Sequence, residues 1–364
     1  MKIKIMRSKL LDALKGVQNI IPGKGTLPVI QNTLIEADNG KLKMTTTDLE
    51  VSINYTGECE VVESGLTTLP AKLLFNSVAK LAEGEVIIEV DSKDRASVTA
   101  GNANFKIAGM AAKEFPALPK SEEEVVYKLP QATFKEMLRK VAYAASQDDT
   151  RRTLKGVLMR FKDAKLTMVA TDGRRLALVE QEVEFPPTCE KDIVIPYKTV
   201  VELQRSLMGE EDIEIKVHKS QISFTFGSLT IYSKMVEDKY PPYEQVIPTT
   251  QGEKIAIDRQ LLIDALERAN VMSMDEAHTT KLSFTMGRLI VSSAANDIGE
   301  AKDEVPIKYA GEDIDIMFNP SYVMDPLKAI DDDEIYFNII NGHSPAVINC
   351  SIPFIYVIMP LRIN

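Results

Sequence analysis

The sequence predicts an α+β protein made of three copies of one unit, with helices covering one face of largely antiparallel sheets. Three observations carry this. Short alternating strands feeding an amphipathic helix open at residues 2–14 (KIKIMRSKLLDAL), 127–138 (YKLPQATFKEML) and 254–266 (KIAIDRQLLIDAL). A second helix, introduced by a proline or asparagine turn, recurs at 69–81 (LPAKLLFNSVAKL), 195–207 (IPYKTVVELQRSL) and 318–330 (FNPSYVMDPLKAI), a period of about 125 residues. Between them, apolar strands break at a small polar pair in 44–53 (MTTTDLEVSI), 171–180 (TDGRRLALVE) and 290–301 (IVSSAANDIGEA).

Each element follows from its spacing. Leu10, Leu14, Val17 and Ile21 form one apolar helical stripe, leaving the opposite face to solvent. In 213–227, Ile213, Ile215 and Val217 face one way while Glu214, Lys216 and His218 face the other, a half-buried strand. The Thr-Asp and Asn-Asp pairs predict hairpins, because small polar side chains satisfy their own backbone at a bend. Proline-studded exits at 105–119 and 229–248 mark boundaries, so the expected domains are 1–122, 123–249 and 250–364. Three such domains in line leave sheet edges at both ends, and a head-to-tail contact between two chains would close a ring and bury them.

At 364 residues the chain exceeds one ordinary core. Its start does not resemble a signal peptide and no stretch approaches the roughly 18 apolar residues of a membrane span, so a cytoplasmic protein is expected. Cys59, Cys189 and Cys350 lie far apart without metal-ligand or disulfide spacing. A net charge of −10 argues against tight phosphate binding unless the basic residues are segregated. The stretch 21–28 (IPGKGTLP) departs from a phosphate loop, having Gln18 at the first glycine position and Gly25 at the hydroxyl position. The run 331–334 (DDDE) raises the alternative of a metal-dependent nucleic-acid-processing enzyme. Consecutive carboxylates after a helix point in different directions, which favours a solvated turn. His218, His278 and His343 lack triad partners and are expected at the surface. No catalytic residue, metal site or cofactor is predicted; a purely structural repeat protein is the remaining rival.

The three repeats, with TDGRRLA in the second and YVIMPLRIN at 356–364, resemble the bacterial sliding clamps, the beta subunits of DNA polymerase III. The resemblance spans the chain. It implies the DNA clamp fold in three domains and a head-to-tail homodimer closing a six-domain ring, helices lining the hole and sheets outside. Such a ring encircles double-stranded DNA without regard to sequence and tethers the polymerase as its processivity factor, without catalysis of its own. The implied DNA contacts are Lys24, Lys72, Lys135, Arg139, Gln147, Lys198 and Arg205, with Lys80 and Lys328 in similar places. A pocket for short motifs of the polymerase alpha subunit, the clamp loader and repair proteins would have Leu154, Leu176, Val246, Val357, Met359, Pro360 and Leu361 as its floor. Thr171, Gly173, Arg175, Pro241, Asn319, Tyr322 and Arg362 would form its rim. Arg174 stands where the family pattern has histidine and Gln245 where it has arginine. The implied dimer contact sets Phe105 and Ile107 against Val271 and Met272.

Overall fold

The structure, a computed structural model, describes residues 1–22, 27–117, 125–250, 252–272, 279–295 and 299–361. Among these, six α-helices occur in three pairs: α1 Arg7–Val17 and α2 Ala71–Lys80, α3 Gln131–Val141 and α4 Tyr197–Ser206, α5 Arg259–Asn270 and α6 Pro320–Ala329. Every strand pairing among them is antiparallel, in keeping with sheets that bury one face. The chain groups into two compact units, 1–135 with 201–235, and 136–200 with 236–364. The middle repeat contributes to both.

In the first unit, a five-stranded sheet runs Glu60–Glu63, Lys2–Met6, Glu85–Val90, Arg95–Ala100, Ala103–Ala108. An eight-stranded sheet draws four strands from the second repeat, ending at Leu229–Lys234, and four from the first, beginning at Val51–Glu58. Those two strands pair directly, Ser52 opposite Tyr232, so one sheet is continuous across two repeats. Helix α1 packs on Lys41–Thr47, on Val51–Glu58 and on α2. Its stripe is as expected at Leu10, Leu14 and Val17, all fully or almost fully buried; Ile21 lies beyond the helix, after a 3-10 turn at Gln18–Ile20.

The second unit repeats the device. Its eight-stranded sheet joins Arg175–Glu182 of the second repeat to Phe354–Ile358 of the third, Leu176 opposite Val357. A four-stranded sheet runs Gly299–Pro306, Arg288–Ala295, Thr280–Thr285, Ile314–Phe318. Helix α5 is capped by Asp258, whose carboxylate accepts the Leu261 N–H at 2.9 Å. It buries Leu262, Ile263, Ala265, Leu266 and Ala269 against the last two hairpin strands and α6.

One buried charge belongs to the first unit's joint. Glu202 of α4 is 4% exposed and accepts hydrogen bonds from Asn19 Nδ2 at 3.2 Å and Ser206 Oγ at 3.0 Å. Burial pushes its carboxyl above the usual range, against those two bonds. A raised carboxyl stabilises the fold below its unfolded value and loses that contribution as pH rises through the folded value. Glu202→Gln keeps an acceptor and removes the charge. Thermal melts should therefore show it more stable than wild type at pH 7–8, with the gain shrinking as pH falls toward 4; a gain that grows on acidification would refute this.

Candidate functional site

The two described hairpin tips are built alike. Asp48 Oδ1 accepts the N–H groups of Glu50 and Val51 at 2.9 and 2.8 Å, and Asp172 Oδ1 those of Arg174 and Arg175 at 2.9 and 3.0 Å. Thr47 Oγ and Thr171 Oγ each accept the N–H two residues on, at 3.1 Å. The residue between is left-handed in both, Leu49 at φ 78° and Gly173 at φ 84°. A leucine there costs about 1–2 kcal/mol, so of these two tips the second makes the bend without strain. A Cβ at Gly173 would also stand 3.0 Å from Arg151 Nη1, which donates to Asp172 O at 3.0 Å. The third copy's Asn-Asp pair, with its neighbour, lies outside the described residues; its flanking strands pair from Ala295↔Gly299 onward.

Beside the second tip is a cavity of about 40 Å³ lined by Thr171, Gly173, Arg174, Arg175, Leu176, Val246, Val357 and Met359. Its inner wall belongs to an apolar cluster of Leu158, Val169, Leu176, Leu178, Val194, Tyr243, Val347 and Val357, with Tyr240 and Ile247 packed on it. Val246 and Met359 keep about two-fifths of their surface exposed, so an apolar ledge faces solvent next to a buried floor. Met359 N donates to Arg174 O at 2.9 Å, tying Phe354–Ile358 to the tip.

The cavity gathers seven residues of the sequence-predicted pocket and adds Arg174. Of the others, those among the described residues do not line it. Asn319 caps α6, accepting the Ser321 N–H at 2.9 Å. Leu361 N donates to Met317 O at 2.8 Å, and the Leu154 carbonyl accepts from Ser146 N. Pro241 is exposed and Pro360 half-buried, neither lining the cavity; Arg362 lies outside the described residues.

Arg175 is a strut more than a rim residue. Its side chain is 9% exposed, pairs with Asp172 at 3.1 Å and with Asp325, and donates to the carbonyl of Tyr143. Its guanidinium sits 4.3 Å from the Tyr322 ring centroid and 5.6 Å from that of Tyr143. Burial works against the charge, but Tyr356, Asp325 and Asp172 outweigh it and hold Arg175 above its ordinary value. Beneath it, Pro326 inside α6 has no N–H to offer Tyr322 O four residues earlier, and the Tyr356 hydroxyl donates there at 2.6 Å. The spacing of residues 171–176 does not reveal Asp325, the Arg175 partner that lies 150 residues away.

The expected DNA contacts divide. Lys72, Gln147, Lys198 and Arg205 are exposed. Lys135 is half-buried and donates to Leu207 O at 2.7 Å, while Arg139 bonds Glu136 and Asp331. Lys328 pairs with Glu267 at 2.7 Å, and Lys24 lies outside the described residues. Ile107 is 3% exposed, turned into its own repeat's core opposite Ala96, so it is not free to make the expected dimer contact; Phe105 and Met272 are half-buried and Val271 is 59% exposed. The carboxylates of 331–334 have separate partners: Asp331 takes Arg139, Asp332 takes Ser351, and Glu334 takes the Tyr336 hydroxyl. His218, expected at the surface, is 4% exposed with Nε2 3.4 Å from Ser223 Oγ, because it lies past the strand end at Val217, in a turn where its N–H bonds Gln221 O; His343 is exposed and His278 lies outside the described residues.

Comparison with known proteins follows the same three repeats. Residues 1–119, 128–242 and 244–362 match the N-terminal, central and C-terminal domains of the DNA polymerase III beta subunit. Relatives described as beta sliding clamps include one of Chlamydia trachomatis, 31% identical over 366 residues, covering all of this chain and 88% of that protein, and one of Pseudomonas aeruginosa, 30% identical with both chains fully covered. Among solved structures, a DNA polymerase sliding clamp of Pseudomonas aeruginosa superimposes with a TM-score of 0.95 at 29% identity, and one of Bacillus subtilis with 0.96 at 25%, each over the whole of both chains. With every repeat matched in order and the whole of this chain covered, the chain belongs to the DNA polymerase III beta subunit family, the beta sliding clamps.

Proposed function

We propose that this protein works in the cytoplasm as a DNA sliding clamp, a homodimeric ring that encircles duplex DNA and tethers the replicative polymerase, with no catalysis of its own. The observation that carries the reading is the match of all three repeats, in order, to the domains of one family. The protein's three domains are residues 1–122, 123–249 and 250–364.

A chain of net charge −10 is suited to this role and to little else on DNA. Enclosure replaces phosphate affinity, and weak sequence-blind contacts permit sliding. The cations that the helices leave exposed to make them are Lys72 and Lys80 on α2 and Lys198 and Arg205 on α4. Lys135 and Arg139 would contribute only after giving up internal bonds. The cavity beside Gly173 is the docking place for short motifs of the polymerase alpha subunit and clamp loader, with Leu176 and Val357 as its buried floor and Val246 and Met359 as its exposed ledge.

The test is topological. Loaded onto nicked circular DNA by a clamp loader, the protein should stay bound through gel filtration and be lost when the circle is linearised. Equal retention on both forms would reject encirclement. Replacing Lys198 and Arg205 together should reduce loading while leaving the solution mass unchanged.

A further inference from the structure

Helices α4 and α6 are ten residues each, and their sixth residues are Glu202 and Asp325. Both carboxylates reach back to the repeat before. Glu202 accepts from Asn19, on the 3-10 turn that follows α1. Asp325 takes Nη1 of Arg175, whose Nη2 donates to the carbonyl of Tyr143. Tyr143 is the middle residue of the 3-10 turn Ala142–Ala144 after α3, as Asn19 is after α1. In α2 the sixth residue is Asn76, which is exposed. The same helix position therefore fastens each joint, once to a neutral amide and once to a guanidinium that also belongs to the hairpin tip.

We propose that Asp325 is a positioning residue for the peptide pocket: acting through Arg175, it fixes the hairpin 171–176 that forms one wall. The proposal rests on the pocket reading given above. The chain of contacts is continuous. Asp325 holds the guanidinium, Arg175 N donates to Asp172 Oδ1, and the carbonyl of Arg174 accepts the N–H of Met359. Tip and last strand thus move together, and they carry Gly173, Leu176, Val357 and Met359 into one cavity. Asp325 does not line that cavity. Its effect on a bound peptide would be exerted entirely through the wall.

The experiment uses the full-length protein and a fluorescein-labelled peptide carrying a glutamine and a Leu-Phe pair, read by anisotropy. Asp325→Asn, nearly the same in shape, should weaken binding about tenfold, and Asp325→Glu should restore most of it. Glu202→Gln, at the same helix position in the other unit, should leave affinity unchanged. In Arg175→Lys, adding Asp325→Asn should cause little further loss, since the two act as one. Hydrogen exchange gives a readout that needs no peptide: in Asp325→Asn the amides of Arg174, Arg175 and Met359 should exchange faster, with the strand amides of 156–162 unchanged. Wild-type affinity or wild-type exchange at those three amides in a folded Asp325→Asn protein would overturn the proposal. A wild-type protein that ignores the peptide would instead overturn the pocket reading, while the exchange result would still decide the role of Asp325.

Discussion

Met359→Asp should abolish peptide binding while leaving the solution mass untouched. The side chain is 38% exposed on the ledge beside Gly173, so the folded protein tolerates the carboxylate, and the Met359 N–H bond to Arg174 O is retained. Each leucine or phenylalanine buried from a peptide contributes about 1.5–3 kcal/mol. Two such anchors and a few hydrogen bonds, less the cost of ordering the peptide, set wild-type affinity near roughly micromolar. A charge placed on the ledge removes the contact of one anchor and is desolvated when the peptide covers it, a loss of about a hundredfold or more. Deleting 360–364 should act in the same direction by releasing the Leu361 bond to Met317 O. Leu49→Ala, at the sister tip, should bind the peptide like wild type. If Leu49→Ala and Met359→Asp weaken binding equally, the second tip is an ordinary hairpin and the pocket assignment fails.

Val271→Asp should halve the particle. A ring of two chains has twice the 40.5 kDa of one, and sedimentation at micromolar concentration reads this directly. Val271, 59% exposed after the end of α5, can accept a charge without disturbing its own repeat. The edge strands Ala103–Ala108 and Gly299–Pro306 each end a sheet with one neighbour, leaving a backbone edge for a partner. A carboxylate buried unpaired in that contact should weaken association about a thousandfold, ~4 kcal/mol. Ile107→Asp makes a poor substitute, because Ile107 is interior and its loss would unfold the first repeat. A wild-type chain that sediments as a monomer would remove the basis for the ring.

Repeat period, helix stripes and strand alternation were legible because each is a local pattern: Leu10, Leu14 and Val17 announce their face by spacing alone. Hairpin tips were legible for the same reason, since Asp172 bonds residues two and three ahead of it. Partners distant in sequence were not. The spacing in TDGRRLA does not distinguish Arg175 from Arg174, yet both line the cavity and only Arg175 is also a buried strut held by Asp325. Likewise Lys135 and Arg139 form a cationic face by helical spacing, and only the fold shows them bonded to Leu207 O, Glu136 and Asp331. Phe105 and Ile107 share a strand face, but how deeply each sits depends on what covers the sheet, which alternation cannot express.

The two continuous eight-stranded sheets also dictate when each unit can close as the chain emerges from the ribosome. Val51 meets Ser233, and Arg175 meets Ile358, partners about 180 residues apart in both cases, so the final pairing in each unit is a long-range and slow one. The first unit holds all its strands once residue 234 has been made. Residues 136–200, already synthesised by then, must wait for 354–358 before their open strand Arg175–Glu182 is covered. For the time it takes to translate those last hundred-odd residues, roughly 6–25 s, the nascent chain presents an unpaired backbone edge. That interval is when a chaperone, or a mispairing neighbour, has its opportunity.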